Sequence, residues 1–309
     1  METGEHHVLV MGLPRTGKTT FLAALWDVVD SENIGGSLVL ENVDGDQKHL
    51  NDIRDLWANC EEIPRTRVAE EKTVSMNLHD RKSDVKSCVS FPDMDGEAFQ
   101  RQWTDREWPQ SHAEIVRRSD SALLFIHPGK VKEGPLIRDA RPLIATIAQV
   151  QGDGQAANAN AQPSLVESAG GRTVPATPTF APTQVQLVEI LQFMQRHKGD
   201  VSGFKLGVII SAWDVVMKQG KSTPDRWLQD RLPMLHQYLL AHRETVHSRI
   251  YGVSAQGGDI TKEAVRLRAK HSPSERIIVV EGKTTSSDIT IPVRWAMGAT
   301  EAVNHPPAS

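Results

Sequence analysis

The chain has 309 residues, 39% of them hydrophobic and 24% charged, and its formal net charge is −4. This length and composition allow a sizeable core, and the charge gives none of the basic footprint that nucleic-acid binding requires. The two cysteines, Cys60 and Cys88, lie far apart in sequence. They indicate neither a disulfide framework nor a metal site, which fits a reducing compartment.

The chain begins without a basic segment followed by an apolar one, so we expect no signal peptide. The longest apolar stretch, around residues 206–210, is far too short to cross a bilayer. We therefore expect a soluble, cytoplasmic protein that could still reach a membrane through a partner.

The first predicted elements surround a glycine-rich motif. Residues 7–11 predict a strand, and residues 20–26 have the apolar spacing of a helix. Between them, residues 12–19 read G-L-P-R-T-G-K-T, a complete G-x-x-x-x-G-K-[ST] motif. A strand, a glycine turn and a helix N-terminus in this order direct main-chain N–H groups at a triphosphate.

We call residues 12–19 the glycine loop. Lys18 is predicted to reach the β- and γ-phosphates and to act in catalysis, and the Thr19 hydroxyl to bind Mg²⁺. The predicted nucleotide contacts in this region are Gly12, Arg15, Thr16, Gly17, Lys18, Thr19 and Thr20.

Farther along the chain, strands and helices alternate. Apolar runs predict strands at 73–79, 87–91, 121–127, 204–211, 250–253 and 277–280. Apolar stripes predict helices at 46–59, 184–197 and 224–245, the last interrupted by Pro233. This alternation predicts an α/β fold with a mainly parallel sheet.

Residues 151–184 are rich in Ala, Gly, Pro, Asn and Thr and poor in side chains that pack. We interpret them as a mobile surface insertion within one domain at 1–300, because the motifs before and after them complete each other. We expect residues 301–309 to form a flexible tail.

A D-x-x-G motif follows the strand at 87–91. Asp93 is predicted to hold a magnesium-bound water, and the Gly96 N–H to contact the γ-phosphate. The alternative is an ordinary acidic turn. Glu97 stands where a water-orienting residue is expected, although a solvated acid at a helix start is the other interpretation.

A loop that closes over the metal is also expected. Thr66 lies between a helix and the strand at 73–79, and we select it as a second metal ligand and catalytic residue. Thr73 is the alternative, at the start of that strand. Arg65 and Arg67 flank Thr66 and could neutralise phosphate charge. An Arg in such a position is more often paired with a nearby acid at the surface, so we assign no catalytic role to either.

Base recognition is predicted in the second half of the chain. Residues 211–214 read S-A-W-D after one strand, and residues 254–256 read S-A-Q after the next. The Asp214 carboxylate could accept two hydrogen bonds from guanine, and adenine lacks that donor pair. We assign Asp214, Ser254 and Ala255 to base binding. Trp213 either covers the base or belongs to the core.

In this order the motifs resemble GTPases of the translation-factor-related class, which includes Ras-like proteins and dynamins. The closer resemblance is to the bacterial double-GTPase group of conflict or defence systems. It rests on residues 12–26, 64–66, 92–97, 211–214 and 253–256, with a tail motif at 287–295, and spans nearly the whole chain apart from the insertion. Ser211, Ala212 and Gln256 depart from the N-K-x-D and S-A-K motifs of guanine-nucleotide proteins.

The resemblance implies a three-layer, Ras-like P-loop domain with a mainly parallel sheet of about six strands. It implies binding of GTP and GDP with Mg²⁺, slow hydrolysis, an unidentified protein effector or partner subunit, and pairing of two G domains. Three alternatives remain: an ATPase of another P-loop class, a nucleotide-binding scaffold without hydrolysis, and a small-molecule kinase using Arg266, Arg268 and Arg276.

Overall fold

One sheet of nine strands organises the part of the chain that the structure describes. A computed structural model describes residues 6–31, 37–64, 73–92, 110–133, 181–199, 201–220 and 222–299. In chain order the strands are β1 His6–Gly12, β2 Leu38–Asp44, β3 Val74–Asp80, β4 Val85–Phe91, β5 Ser121–Ile126, β6 Phe204–Ile210, β7 Val246–Ser254, β8 Ile278–Glu281 and β9 Thr284–Ser286.

The helices lie between these strands. They are α1 Lys18–Ser31, α2 Gln47–Ala58, α3 Gln110–Arg118, α4 Thr183–Lys198, α5 Trp213–Gln219, α6 Pro224–Arg231, α7 Pro233–Ala241, α8 Ala264–Arg268 and α9 Ile291–Met297. Short 3₁₀ turns occur at Pro128–Lys130 and Pro273–Arg276. No helix among the described residues is long and apolar enough to cross a bilayer.

The sheet is mixed rather than mainly parallel, with the order β2-β3-β4-β1-β5-β6-β7-β8-β9. The neighbours from β4 through β1, β5 and β6 to β7 pair in parallel, and the pairs at both ends are antiparallel. The prediction of about six mainly parallel strands was therefore wrong. A four-residue turn at 81–84 joins β3 to β4, and a connection this short permits only antiparallel pairing.

Two strands, β2 and β9, escaped prediction, and both lie at the ends of the described sheet. β9 reads T-T-S and has no apolar residue. β2 reads L-V-L-E-N-V-D, and its run of three apolar residues is too short to indicate a strand by itself.

Helices cover both faces of the sheet and give two apolar layers. β1 contributes Val8 and Val10 to one layer and Leu9 and Met11 to the other, as the alternation of a strand requires. The first layer includes α1, α2 and α9, and the second includes α3, α4, α5, α6 and α7. The three-layer arrangement that the resemblance implied is therefore present.

Two predicted helix boundaries are confirmed. Thr223 caps α6 by accepting the Arg226 N–H at 3.3 Å, and the predicted break at Pro233 separates α6 from α7. α4 begins at Thr183, within the last residues of the predicted insertion, while residues 151–180 lie outside the described part of the chain.

A buried ion pair ties α9 to the sheet. The Arg294 Nε atom lies 3.4 Å from Oδ1 of Asp80, whose side chain is fully buried in β3. Burial alone would raise the pKa of Asp80, but the Ser37 and Ser83 hydroxyls and the Arg294 guanidinium favour the charged carboxylate, and the net pKa is lowered.

We expect Arg294→Met to lower the free energy of unfolding by roughly 3 kcal/mol at neutral pH, because the Asp80 carboxylate stays buried without its partner. The pKa of Asp80 is lowered in the folded protein, so its contribution is present above the unfolded pKa and is lost as the pH falls through the folded value. Urea unfolding at several pH values measures both effects.

The matched control is Arg54→Met, since Arg54 pairs with Asp30 and Asp55 at the surface. That substitution should change the free energy of unfolding by less than about 1 kcal/mol. Equal losses in the two variants would contradict a special role for the buried pair.

Candidate functional site

The glycine loop connects β1 to α1 and folds around the Lys18 ammonium. Lys18 Nζ donates to the carbonyl oxygens of Gly12 and Leu13, at 2.8 and 3.0 Å. The Thr16 hydroxyl donates to the Leu13 carbonyl at 2.8 Å and closes the turn. The loop therefore holds a positive charge beside the N-terminus of α1, an arrangement that attracts an anion.

Glycine is required at both ends of this turn. Gly12 has φ of +148°, and a Cβ atom there would stand 2.6 Å from the Phe125 carbonyl oxygen. Gly17 has φ of +89°, and its Cβ would stand 3.3 Å from the Ser211 side chain. The loop therefore packs directly on the carboxyl ends of β5 and β6.

A cavity of about 740 Å³ extends from the glycine loop to the loops after β6 and β7. This volume suits a small organic ligand. The predicted site residues that line it are Gly17, Thr20, Asp214, Ser254 and Ala255. The structure thus brings the predicted phosphate and base contacts to one cavity, although the chain separates them by about 200 residues.

The other predicted residues of the glycine loop have different surroundings. Arg15 and Thr16 line a neighbouring cavity of about 420 Å³ together with Lys130. Gly12, Lys18 and Thr19 belong to the loop and the first turn of α1, outside the described walls of both cavities.

Asp214 lies in the first turn of α5 and is only 7% exposed. Its Oδ1 atom accepts a hydrogen bond from the Ser254 hydroxyl at 2.5 Å, and the Gly257 N–H donates to the same hydroxyl at 3.0 Å. Ser254 therefore orients the carboxylate and also fixes the turn that follows β7. A carboxylate has about four acceptor positions, so Asp214 can accept further donors.

Trp213 belongs to the core. It is 1% exposed, and its ring packs so closely on Gly252 that a Cβ atom there would lie 2.2 Å away. The core interpretation of this residue is therefore confirmed, and Trp213 is absent from the described cavity wall. Ala212, just before it, has the left-handed backbone conformation that turns the chain into α5.

Sequence reasoning missed two groups of cavity residues. Glu61, Glu62 and Ile63 follow α2 and line the cavity. Lys218 and Glu263 form an ion pair at the base end, and Lys218 and Arg266 lower the pKa of Glu263. Lys218 follows Asp214 by four residues, and residues with this spacing lie on the same face of a helix. This spacing could have identified Lys218 as a cavity residue.

His127 was also missed, and it lines both cavities. Burial lowers the pKa of its imidazole, and the Lys130 ammonium lowers it further. Nδ1 accepts the Gly129 N–H at 3.0 Å. The ring is therefore neutral at pH 7 and carries its proton on Nε2.

Four predicted residues lie outside the described part of the chain: Thr66, Asp93, Gly96 and Glu97. Their roles stay predictions, as do the alternatives to them. Thr73 is described and directly precedes β3. The described residues contain no group of three His, Cys, Asp or Glu side chains that could hold a metal.

The strand register places the end of β4 beside the start of the glycine loop. Leu9 pairs with Ser90, so Pro92, two residues farther on, lies level with Met11. The chain that leads into Asp93 therefore leaves the sheet beside the point where the glycine loop begins.

Comparison with models of known protein families gives one match. The family model Double-GTPase 1 matches residues 9–296. The chain belongs to this family. The match confirms the resemblance to the double-GTPase group, and it includes the glycine loop, Asp214 and the turn after β7.

A search of curated proteins found no match. Among solved structures, one similar chain is described as sup35 complexed with GDP. It shares 13% sequence identity with a TM-score of 0.31, and the alignment covers 83% of this chain. The chain spans 39% of that structure's length.

We expect Gly12→Ala to weaken binding of pyrophosphate by about tenfold or more, because the new methyl group would force the glycine loop away from the Phe125 carbonyl. Calorimetric titration of both proteins with pyrophosphate measures the effect.

Gly203→Ala provides a matched control. Gly203 also has a positive φ, +74°, but open space surrounds it. This variant should lose about 1 kcal/mol of stability and keep the binding unchanged. A Gly12→Ala protein that binds pyrophosphate as tightly as wild type would show that the loop does not hold the anion.

Proposed function

We propose that the protein binds GTP in the 740 Å³ cavity and hydrolyses it slowly to GDP and phosphate as a nucleotide-dependent switch. The observation that carries this proposal is a single cavity with the glycine loop at one end and the oriented Asp214 carboxylate at the other. Membership of the Double-GTPase 1 family supports the same conclusion.

The charge pattern of the cavity favours guanine over adenine. Asp214 is an acceptor, and the Ser254 hydroxyl occupies only part of its capacity. Guanine presents adjacent N1–H and N2–H₂ donors to such a carboxylate, whereas adenine presents an acceptor where guanine has N1–H. An adenine base would therefore leave Asp214 poorly satisfied in a partly buried site, at a cost in affinity.

The phosphates would lie on the glycine loop. Lys18 would exchange its hydrogen bonds to the loop carbonyls for bonds to the β- and γ-phosphates, and the N–H groups at the start of α1 would surround them. Thr19, Thr66 and Asp93 are the residues that would hold Mg²⁺, whose charge offsets that of the phosphates. Hydroxyl and carboxylate oxygens are the donors that this hard cation prefers.

Hydrolysis would proceed by in-line attack of water on the γ-phosphorus, with GDP as the leaving group. Glu97 would orient that water, and Lys18 would stabilise charge that develops on the phosphate oxygens. Ordering of Thr66 and Gly96 around the γ-phosphate would distinguish the GTP state from the GDP state.

The resemblance to the double-GTPase group also supports a proposal about the organism, the compartment and the biological system in which the protein acts. By analogy with the group, the protein would be a bacterial, cytoplasmic component of a defence or conflict system that acts on an unidentified effector or partner subunit, with two G domains paired.

Asp214→Asn tests base recognition. The amide would donate a hydrogen bond where the carboxylate accepts two, so we expect GDP affinity to fall by about a hundredfold and affinity for xanthosine diphosphate to rise. Calorimetric titration with GDP, ADP and xanthosine diphosphate measures all three.

Lys18→Ala is the companion variant, and it should weaken all three nucleotides and pyrophosphate alike. Binding of ADP as tight as that of GDP, with no effect of Asp214→Asn, would support an ATPase instead. Tight GDP binding without turnover of GTP would support a nucleotide-binding scaffold.

Hydrolysis is tested by single-turnover rates of Glu97→Ala and Thr66→Ala at saturating GTP. We expect each to fall by about tenfold or more, Glu97→Ala without loss of GTP affinity and Thr66→Ala with a raised requirement for Mg²⁺. Unchanged rates in both variants would remove these catalytic assignments.

A further inference from the structure

The carboxyl end of α2 is fastened to the base end of the cavity. We call residues 254–258, the turn after β7, the base loop. The Trp57 indole Nε1 donates to the Ala255 carbonyl at 3.0 Å, across 198 residues of sequence. In return the Gln256 side-chain amide donates to the Trp57 carbonyl at 3.3 Å. Both Trp57 and Ala255 are buried, so water does not compete for these bonds.

Arg276 also stabilises the contact between the end of α2 and the base loop. Its guanidinium lies over the Trp57 ring, 4.5 Å from the centroid, and is 4% exposed as a residue. It donates to the Ala58 carbonyl at 3.1 Å and also to the Trp57 carbonyl. Arg268 donates to the Asn59 carbonyl at 2.7 Å. These carbonyls lie at the end of α2, where the helix dipole is negative, so the two cations complement it. The Trp57 carbonyl also accepts the Cys60 N–H at 3.1 Å, in the turn that ends the helix.

The same cluster adjoins two segments that line the cavity. Ala255, whose carbonyl accepts the Trp57 indole, lines it in the base loop, and Glu61, Glu62 and Ile63 line it directly after the tethered end of α2. Trp57 and Arg276 themselves are not among the described lining residues. They therefore act on a ligand only through the groups that they hold in place.

We infer that Trp57 and Arg276 are positioning residues for the nucleoside part of the ligand, holding the base loop and residues 61–63 at a fixed separation. This inference rests on the proposed function and adds that the end of α2 completes the base site. The contacts with base and sugar depend on the cluster, whereas the glycine loop, built from β1 and α1, does not.

These contacts would raise affinity by preorganising the base loop, that is, by fixing its backbone before a ligand binds. The Ala255 carbonyl accepts Trp57 and the Gly257 N–H donates to Ser254, so the peptide planes on both sides of Gln256 are fixed before a ligand binds. Without the indole N–H, the base loop gains freedom that binding must then remove, which lowers affinity.

Trp57→Phe tests the inference, because it keeps an aromatic ring under Arg276 and deletes the bond to Ala255. We expect GDP affinity to fall by about fivefold, the usual effect of one net hydrogen bond, while pyrophosphate affinity changes by less than about twofold. Calorimetric titrations with both ligands measure the two effects.

Trp26→Phe is the matched control. Trp26 is as deeply buried as Trp57, and its indole donates to the Asn51 side chain at 3.0 Å, between α1 and α2 and outside the described cavity wall. It should lose comparable stability by urea unfolding and keep wild-type affinity for both ligands. Arg276→Lys, which keeps the charge but loses the fork that spans two carbonyls, should reduce GDP affinity and leave pyrophosphate binding unchanged.

Three results would overturn the inference. They are wild-type GDP affinity in Trp57→Phe, an equal loss of GDP and pyrophosphate affinity in it, or the same loss of GDP affinity in Trp26→Phe. Failure of the proposed function would give different results: wild-type protein would bind no GDP, or Asp214→Asn would leave the preference for guanine unchanged. Either result would also overturn the inference about Trp57 and Arg276.

Discussion

Parallel pairing of β1, β5, β6 and β7 is the constraint on which the site depends. The register aligns Gly12 with Phe125, Phe125 with Ile209 and Ile209 with Tyr251, in one row across four strands. Parallel strands bring their carboxyl ends to one edge, so the loops that follow them meet there although they are remote in sequence. The helices on both faces of the sheet keep this edge in place by burying its apolar layers.

The residues that replace the Asn and Lys of the N-K-x-D motif have defined positions in the structure. Ser211 stands at the Asn position of the N-K-x-D motif, and its side chain would lie 3.3 Å from a Cβ atom added to Gly17. Its hydroxyl donates to the Ile126 carbonyl at 3.2 Å. Ala212 offers no long side chain over a base. Lys218 is one turn away on α5 and lines the same cavity, so the chain supplies a cation there from a different position.

The sequence predicted those features that local patterns encode. The glycine loop, the break at Pro233 and the clustering of Asp214 with Ser254 follow from motif spacing and strand order. The edge strands β2 and β9 were not predicted, because three apolar residues in a row in β2 and a wholly polar β9 give no clear strand pattern. The hydrogen bond from Trp57 to Ala255 was also not predicted, since the apolar stripe of α2 indicates that Trp57 is buried but not which residue it contacts. Residues 93–97 stay predictions.

Both outer strands of the described sheet bear on self-association. β9 has three residues, all Thr or Ser, and β2 carries an irregularity between Leu40 and Asn42. Short or bulged borders offer a neighbouring molecule few aligned backbone groups for continuing the sheet, which protects against fibril growth. Growth of the described sheet by a strand from a second copy is therefore disfavoured at both of its edges.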